Sequence, residues 1–420
     1  MDQPGPVVPF DGGGHVIWLK RIGKTFAVLV GLIALWLAVA ALVYSPVYVG
    51  RVLAWGESDQ GDYLNNFPLS SLSKSPEVFS FESSPEDEKV RSVFEPALGV
   101  PDLDAFLTES ETQAFIVIQE DRIIYEGYFN GAARDTMVTS FSVAKSFDSA
   151  LIGIAIDEGF INSVNDPVTD YLPELAKRDD SFESVTIRDL LRMSAGLDYK
   201  ELRWALFNGD DPLTTYYPDQ REIALDNTQI VDPPARYFLY NKYHPQLLGM
   251  ILERTTGMSV TEYTQTRLWD PIGMEFSGAW ALDSEDSGFE KMEAGLNARA
   301  IDYAKLGRLF LEDGSWNGVQ VVSSEWVEES TGLDMATHNP DYYANEFGQA
   351  IYADGGGYYQ YMWYGRLRDG ASADFFAEGD HGQIIYVSPA HSLIIVRNGT
   401  GYGIPGSQWI DAFYEAAGDL

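Results

Sequence analysis

The stretch TSFSVAKSF, residues 139–147, places a serine three positions before a lysine at the start of a strongly apolar run. After Ser142, apolar residues recur at helical spacing and further apolar residues fill the opposite side. A helix that is apolar on most faces is buried, so this segment predicts a helix that crosses the core. Ser142 would lie in its first turn, where backbone N–H groups lack intrahelical partners, with Lys145 one turn later on the same face.

The Ser-x-x-Lys spacing does not by itself identify a catalytic pair, because the same pattern recurs at Ser71 and Lys74. A serine hydroxyl is inert at neutral pH unless a neighbouring group takes its proton. Lysine can take that proton when burial or nearby cations lower its pKa. Lys145 lies inside the apolar run and not at its edge. We therefore interpret Ser142 and Lys145 as candidate nucleophile and base, the alternative being an ordinary helix start with a solvated lysine.

The composition excludes several classes of function. The 420-residue chain carries a formal net charge of −35, which disfavours nucleic acid and anionic membrane surfaces as partners. It has no cysteine, so thiol catalysis, disulfide bonds and cysteine-ligated zinc are excluded. Its five histidines form no H-x-x-H or H-E-x-x-H pair. We predict that no metal ion or organic cofactor takes part in the function.

An uncharged apolar segment of 19 residues, FAVLVGLIALWLAVAALVY, occurs near the N-terminus. At about 1.5 Å per residue it nearly spans the roughly 30 Å hydrocarbon layer of a membrane. Lysine and arginine residues precede it, so residues 1–25 are predicted to stay in the cytoplasm and residues 26–45 to form a transmembrane anchor. The remainder would lie on the periplasmic or extracellular side. The alternative is a secretory signal peptide with its cleavage site at AVA, residues 38–40.

The rest of the chain is predicted to be a linker, residues 46–95, followed by one folded domain, residues 96–420. The linker prediction rests on the richness in serine, proline and charge. Within the domain, residues 114–129 predict a β-hairpin. Further helices are predicted at 186–199, 241–257 and 298–314, and strands at 357–365, 382–389 and 391–399. A hairpin, a buried helix, a helical middle and late strands are typical of an α+β fold with a helical insertion.

Five motifs in order resemble those of the serine β-lactamase and penicillin-recognising superfamily, in its class C-like esterase branch that includes the 6-aminohexanoate-dimer hydrolases. They are SFSVAKS, TIRDLLRMSAGLD, FLYNKYHPQLLG, GLNARAIDYAKLGRLFLEDGSW and GDHGQIIYVSP. The resemblance covers about residues 96–420. It implies a β-lactamase/transpeptidase-like fold, an antiparallel sheet flanked by helices with a helical insertion domain.

The resemblance also implies roles for individual residues. Ser142 would be the acylated nucleophile, Lys145 the group that accepts or shares its proton, and Tyr240 a second acid/base. Cationic Lys145 and Lys242 would favour the phenolate of Tyr240. The oxyanion hole would combine the backbone N–H groups of Ser142 and Gln383.

Two departures from the family pattern lie in the predicted substrate pocket, which comprises Asn241, Lys242, Asp380, His381 and Gly382. Lys242 stands where the family often has asparagine, with Asn241 one residue early. Asp380, His381 and Gly382 stand where β-lactamases and peptidases have Lys-Thr-Gly. An ionised Asp380 would repel a substrate carboxylate, which disfavours β-lactam hydrolysis. His381 is expected either to line the pocket or to be a hydrogen-bonded strand residue.

The resemblance implies a serine hydrolase that forms an acyl-enzyme with a small ester or linear amide. The alternatives are a β-lactamase or peptidoglycan DD-peptidase, and a non-catalytic binding or sensor protein on the same scaffold. An α/β-hydrolase is disfavoured because no G-x-S-x-G motif occurs. The expected partners are a small-molecule substrate and a membrane, without nucleic acid, and the sequence carries no signal for an oligomeric state.

Overall fold

The computed structural model describes residues 13–55, 62–201, 207–368 and 372–420, together with Gly5. An eight-stranded sheet forms the centre of the described fold, and helices cover both of its faces. A second, four-stranded sheet and a two-stranded hairpin lie outside it. This architecture is the α+β arrangement of the β-lactamase/transpeptidase-like class that the sequence predicts.

The strands are short, and most of them pair in antiparallel fashion. In chain order they are β1 Leu69–Leu72, β2 Glu82–Ser83, β3 Thr112–Gln119, β4 Arg122–Tyr128, β5 Val138–Thr139, β6 Gly278–Ala281, β7 Leu296–Ala298, β8 Ser315–Trp316, β9 Val319–Gln320, β10 Gly357–Gln360, β11 Trp363–Leu367, β12 Ala373–Gly379, β13 Gln383–Ser388 and β14 Leu393–Gly399. The large sheet has the order β10-β11-β12-β13-β14-β3-β4-β2, in which only the β2–β4 pair is parallel.

The helices vary from one turn to more than eight turns. In chain order they are α1 Gly13–Val43, α2 Pro46–Trp55, α3 Asp87–Leu98, α4 Leu103–Glu109, α5 Ala144–Asp157, α6 Pro173–Arg178, α7 Ile187–Leu191, α8 Asp210–Tyr216, α9 Gln220–Asp226, α10 Tyr243–Thr256, α11 Val260–Thr264, α12 Ala300–Leu311, α13 Ser324–Thr331, α14 Glu346–Tyr352 and α15 Gly406–Asp419. Short 3₁₀ and π turns connect several of them.

The strands at the centre of the sheet are buried on both faces because helices pack on both sides. On one face, α12 approaches closely, since a Cβ added to its Gly307 would lie 3.1 Å from Ile385 and 3.0 Å from Ile394. On the other face α15 packs beside α3, and the ring of Phe413 lies 5.7 Å from that of Tyr386. Strands covered in this way show continuous apolar runs instead of alternation, which explains the IIYV and LIIV segments of β13 and β14.

The predicted hairpin over residues 114–129 is confirmed as β3 and β4. Its two turn residues, Glu120 and Asp121, have φ angles of 50° and 62°. Positive φ at both central positions is the geometry of a type I′ turn, which matches the twist of the flanking strands. The segment 357–365, predicted as one strand, is instead the β10–β11 hairpin. Tyr361 and Met362 form its turn, and both have positive φ. Tyrosine and methionine are not typical turn residues, so the sequence did not predict this turn.

The segment between α5 and β6 is mainly helical and corresponds to the predicted insertion. The helices predicted at 186–199 and 241–257 are present as α7 and α10, and the former is a single turn. Thr186 starts α7 with a capping box that it forms with Asp189. The insertion lies directly over the nucleophile segment, because α10 packs against α5.

The predicted linker over residues 46–95 is folded in the parts that the structure describes. Tyr48 of α2 is buried and its hydroxyl donates to the carbonyl of Phe207. The strand β1 pairs with β6, and Phe94 of α3 is buried against the large sheet. The serine-rich composition led to the wrong prediction because a few large apolar residues are enough to fix these segments onto the domain.

The N-terminal apolar segment is helical. Within α1, residues 24–43 contain an 18-residue window with a mean hydropathy of 2.8, and only 6% of that window is buried. By length and composition this is the one helix among the described residues that could cross a membrane. A signal sequence near the N-terminus would have the same properties.

Candidate active site

Ser142 and Lys145 are in direct contact at the start of the buried helix. Ser142 lies in a 3₁₀ turn, Phe141–Val143, that leads into α5. The Nζ atom of Lys145 lies 2.9 Å from Ser142 Oγ and donates to it. Phe141 has a φ of 45°, which is strained for a bulky residue and orients the serine that follows it. Ser142 remains partly exposed, whereas almost all of α5 behind it is buried.

Lys145 is 1% exposed, and its second partner is the backbone carbonyl of Glu293 at 2.6 Å. The Glu293 carboxylate forms an ion pair with Lys291 at 2.6 Å, and both side chains are fully buried. Asp148, one turn after Lys145, is also fully buried. Burial raises the pKa of Asp148 well above its usual range, against the opposing effect of the charge on Lys145, and so favours its protonated form. The two hydrogen-bond partners of the Lys145 amine are thus a hydroxyl and a backbone carbonyl, both neutral groups.

Tyr240 completes a group of three predicted residues that the structure brings together. Its ring centroid lies 5.0 Å from Lys145 Nζ, which places the phenol beside the Ser142–Lys145 pair. The ring packs against Phe347 of α14 at 5.1 Å and against Tyr359 of β10 at 6.1 Å. Tyr240 precedes α10 in an extended segment and is half-buried. The aromatic neighbours fix the ring, and the Lys145 amine lies over its face.

The side chains of Lys242 and Asn241 are bonded to other groups of the protein. The Nζ atom of Lys242 lies 2.6 Å from Asp211 and donates to Thr215 at 2.8 Å. Burial alone would lower the pKa of Lys242, but Asp211, with Glu293 and Asp380, outweighs it, so the pKa is raised. Asn241 is buried, and its side-chain oxygen accepts from the first backbone N–H groups of α10. The Asn241 side chain is therefore engaged in capping the start of α10.

The strand residue that approaches Ser142 is Gly379, whereas the sequence predicted Gln383. A Cβ added to Gly379 would lie 2.9 Å from the backbone nitrogen of Ser142. Gln383 is the partner of Gly379 on the next strand, and its side chain donates to the Gly399 carbonyl at 2.6 Å. The last pair between β12 and β11 is Phe376 with Tyr364, so β12 runs three residues further without a partner from β11. This free edge of β12 passes the nucleophile.

Asp380, His381 and Gly382 form the turn between β12 and β13. Asp380 is exposed, and its charge helps to raise the pKa of Lys242. The His381 ring packs 4.9 Å from Phe141, and its Nδ1 lies 3.0 Å from the carbonyl of Thr400. This is the hydrogen-bonded alternative of the two that the sequence left open.

Gly382 has a φ of 75°, and the buried guanidinium of Arg397 bonds its carbonyl at 2.8 Å. Arg397 also bonds the carbonyls of Ser110 and Gly401. Burial lowers the pKa of Arg397 to about 9, because its hydrogen-bond partners are carbonyls and a hydroxyl. Arg397 thereby fixes the turn that ends β12, and with it the edge beside Ser142.

Sequence reasoning missed Gly379 and the groups around Lys145. A glycine inside a strand pattern often marks a close backbone approach, so the EGDHG segment did contain a signal for Gly379. The Glu293 carbonyl, Asp148 and the Asp211 partner of Lys242 carried no such signal, because their places in the site depend on tertiary contacts.

Residues 106–402 match the Beta-lactamase family, which is most of the chain and includes Ser142, Lys145 and Tyr240. The chain belongs to this family. Within it, the chain is 28% identical over 315 residues to the 6-aminohexanoate-dimer hydrolase of Paenarthrobacter ureafaciens, covering 72% of this chain and 76% of that protein. The family and this relative identify it as a serine hydrolase of the β-lactamase fold.

Solved structures of the same fold include two hydrolases. One is a Bacillus anthracis structure assigned as a 6-aminohexanoate-dimer hydrolase, with a TM-score of 0.69 and 23% identity over 86% of this chain and 92% of that chain. The other is EstCE1, a hydrolase with promiscuous acyltransferase activity, with a TM-score of 0.58 and 14% identity over 79% of this chain and 99% of that chain. At these identities the likeness shows the fold. Among the described residues, no cluster of three or more His, Asp and Glu side chains is arranged to hold a metal ion.

Proposed function

We propose that the protein is a Ser-Lys-Tyr hydrolase of small esters or linear amides. The observation that carries the proposal is the contact of Lys145 Nζ with Ser142 Oγ at 2.9 Å, with the Tyr240 ring 5.0 Å from the same amine. A nucleophile, its base and a second acid/base on one side of a helix start are the parts that acyl transfer requires.

In the first half-reaction, the Lys145 amine accepts the proton of Ser142 while Oγ attacks the substrate carbonyl. The tetrahedral oxyanion is stabilised by the Ser142 N–H at the helix start and by an N–H group of the free β12 edge near Gly379. Tyr240 donates a proton to the leaving alcohol or amine. In the second half-reaction, the same phenol and amine activate the water that hydrolyses the acyl-enzyme.

Asp380 beside Gly379 supports as substrates esters, and amides whose carboxylate lies far from the scissile bond, and argues against β-lactams and peptidoglycan peptides. Asp380 is exposed and follows the strand residue that meets the nucleophile. Like charges repel, so a substrate carboxylate held next to this edge would bind weakly. We include 6-aminohexanoate-type linear amides among the proposed substrates, since a relative that is 28% identical carries that name.

A fluorophosphonate probe with intact-mass detection tests the nucleophile. The wild-type chain should gain one adduct, and Ser142→Ala should gain none. Ser71→Ala is the matched control, because Ser71 has the same Ser-x-x-Lys spacing and is exposed on β1. Labelling of the Ser142→Ala protein would contradict the assignment. Labelling of neither protein would favour a non-catalytic binding protein.

Incubation with p-nitrophenyl acetate tests the role of Tyr240. Tyr240→Phe should accumulate the acyl adduct and release product about 10²-fold more slowly. A panel with an aminohexanoate dimer and a chromogenic cephalosporin separates the substrate classes. Faster turnover of the cephalosporin than of the ester or the linear amide would overturn the proposed substrate class.

We further propose that α1 is an uncleaved membrane anchor and that the catalytic domain lies outside the cytoplasm. The exposed apolar surface of residues 24–43 and the cationic residues before it support this placement. Alkaline extraction of membranes and the mass of the mature chain provide the test. A mature protein that begins near residue 41 would show a cleaved signal peptide instead.

A further inference from the structure

The last two turns of α1 pack against the folded domain. The residues on the packed face recur at helical spacing and are Leu37, Ala40, Ala41 and Tyr44. Ala40 is 6% exposed, and the other three are partly buried against the domain core. Trp36 adjoins this face, and its ring lies 4.9 Å from that of Phe207, which lies in the helical insertion just before α8. The end of α1 is therefore fixed to the insertion.

The depth of this contact follows from the length of the proposed anchor, Lys24–Val43. From Lys24 to Trp36 the helix is about 18 Å long, which is less than the roughly 30 Å of hydrocarbon that it must cross. Trp36 therefore lies inside the hydrocarbon layer when α1 spans it, about 10 Å before the helix end at Val43. The corner of the domain at Phe207, which contacts Trp36, reaches into the same layer.

The following helix, α2, has an apolar outer face. A helix on the surface of a soluble domain has polar residues on its exposed side. The exposed side of α2 consists of Pro46, Val47, Gly50, Leu53 and Ala54, which share one arc of the helix. Val47 and Leu53 are 51% and 52% exposed. The single charged residue of α2, Arg51, points to the domain and donates to the carbonyls of Tyr216 and Asp283.

The chain bends between α1 and α2. The rings of Trp36 and Tyr48 lie 4.9 Å and 6.2 Å from that of Phe207, whereas a straight helix would separate residues 36 and 48 by about 18 Å. Ser45 starts α2 at the bend, because its Oγ accepts from the N–H groups of Val47 and Tyr48. A helix that leaves a membrane-spanning helix at such a bend turns along the membrane surface. Its ends carry Tyr48 and Trp55, aromatic residues of the kind enriched at membrane interfaces.

We propose that the outer face of α2 and the domain corner at Phe207 form a lipid-binding surface that docks the catalytic domain on the membrane. The apolar face of an interfacial helix is buried about 5–10 Å into the boundary between headgroups and acyl chains. The partner is the apolar part of the bilayer and not an anionic headgroup, because the chain carries a net charge of −35. The inference rests on the proposed anchor and is independent of the hydrolase activity. It places the helical insertion, whose α8 bonds the Lys242 amine, against the membrane.

Spin labelling of the full-length protein in phosphatidylcholine vesicles tests the inference. The chain has no cysteine, so each single-cysteine variant carries one nitroxide. Val47→Cys and Leu53→Cys place the label on the outer face of α2. Leu29→Cys, within the α1 span, is the lipid reference, and Glu415→Cys, exposed on α15, is the aqueous reference. Collisions of the label with molecular oxygen, which dissolves in lipid, and with a neutral nickel chelate, which stays in water, measure its depth.

The labels at positions 47 and 53 should collide with the nickel chelate about tenfold less often than the label at position 415, since a transfer cost of 1.4 kcal/mol excludes a solute tenfold. Their oxygen collisions should stay as frequent as those of the label at position 29. Nickel collisions as frequent as at position 415 would overturn the inference. Low collision rates with both reagents, with dipolar broadening that disappears on dilution with unlabelled protein, would show a second copy on this face and would also overturn it.

The mass of the mature chain separates the remaining outcomes. A mature protein that begins near residue 41 would overturn the anchor and the lipid-binding surface together. Failure of the proposed hydrolase activity would appear on its own, as absence of fluorophosphonate labelling in the wild-type chain, and would leave the collision rates unchanged.

Discussion

The helix start around Lys145 and the pocket wall around Lys242 present the same ammonium group in two different settings. Lys145 is buried and bonds to a hydroxyl and a carbonyl, whereas Lys242 is half-buried and pairs with the Asp211 carboxylate at 2.6 Å. A carboxylate partner favours the charged form of a lysine, and Lys242 has one. Of the two amines, that of Lys145 contacts Ser142 Oγ, and that of Lys242 is held by Asp211 at the wall.

Of the substitutions that test this comparison, removal of the Lys145 amine should lower the rate of acylation most. Lys145→Met keeps much of the buried volume and removes the base, so the rate of acylation should fall about 10²–10⁴-fold. The burst of p-nitrophenol from p-nitrophenyl acetate measures that rate. Circular dichroism and thermal unfolding of the same variant control for its fold. Acylation at the wild-type rate would show that another group takes the serine proton.

Gly379→Ala tests the β12 edge that faces the same serine. Its new Cβ would lie 2.9 Å from the Ser142 nitrogen, so the edge must move away and the oxyanion hole must open. Loss of one such donor lowers rates by about 10²–10³-fold, and kcat should carry most of the loss. Gly418→Ala is the matched control, because it makes the same chemical change where an added Cβ meets nothing within 4 Å. A wild-type kcat in Gly379→Ala would show that this edge does not form the oxyanion hole.

His244 follows Lys242 by two residues, but it is fully buried in the core behind the pocket wall that Lys242 lines. Burial lowers its pKa to about 3 from an ordinary value near 6.5. Below pH 6.5 the unfolded chain therefore binds a proton at His244 that the folded chain does not bind. The contribution of this group to the free energy of unfolding is fully present above pH 6.5 and is lost as the pH falls towards 3. This one group should account for about 2 kcal/mol of the difference in unfolding free energy between pH 7 and pH 5.

Urea unfolding at the two pH values measures that difference. His244→Leu should reduce it, because the variant has no imidazole to protonate. His391→Leu, in the turn before β14, is the matched control and should leave the difference close to that of the wild type. If the difference in unfolding free energy between the two pH values is unchanged in His244→Leu, other groups cause the loss of stability at low pH.

Substitution of Lys242 should have the smallest effect. The Lys242 amine bonds to Asp211 and Thr215 and not to Ser142, so Lys242→Met should change kcat/KM less than about tenfold and lower stability by up to about 1 kcal/mol. Asp211→Asn should have an effect of similar size, because it removes the other half of the same pair. A loss for Lys242→Met as large as that for Lys145→Met would mean that the roles of the two lysines are reversed.

The catalytic pair could be predicted because its geometry is local. Ser142 and Lys145 are three residues apart, and helical spacing alone places them side by side. Tyr240 is distant in sequence and came from the resemblance to the family, as did the fold. The packing of α10 on α5 then brings the segment of Tyr240 to the nucleophile.

The misplaced predictions depend on contacts that no short segment encodes. The second oxyanion-hole N–H was assigned to Gln383 because the glycine before it matched the family motif. In the structure, the pairing of β11 with β12 ends at Phe376, and this end determines which residues of β12 have a free edge. The linker prediction followed composition, while Tyr48 and Phe94 are anchored by partners far along the chain.

The docking of α2 has a consequence for how the enzyme is held. Arg51 of α2 donates to the carbonyls of Tyr216 and Asp283, and the adjoining helix α8 carries Asp211 and Thr215, the partners of Lys242. The segment after α1 is thus part of the frame of the pocket. A form of the protein without α1 must start near residue 45 to keep that frame, because a start at residue 96 would also remove α2 and the bonds of Arg51.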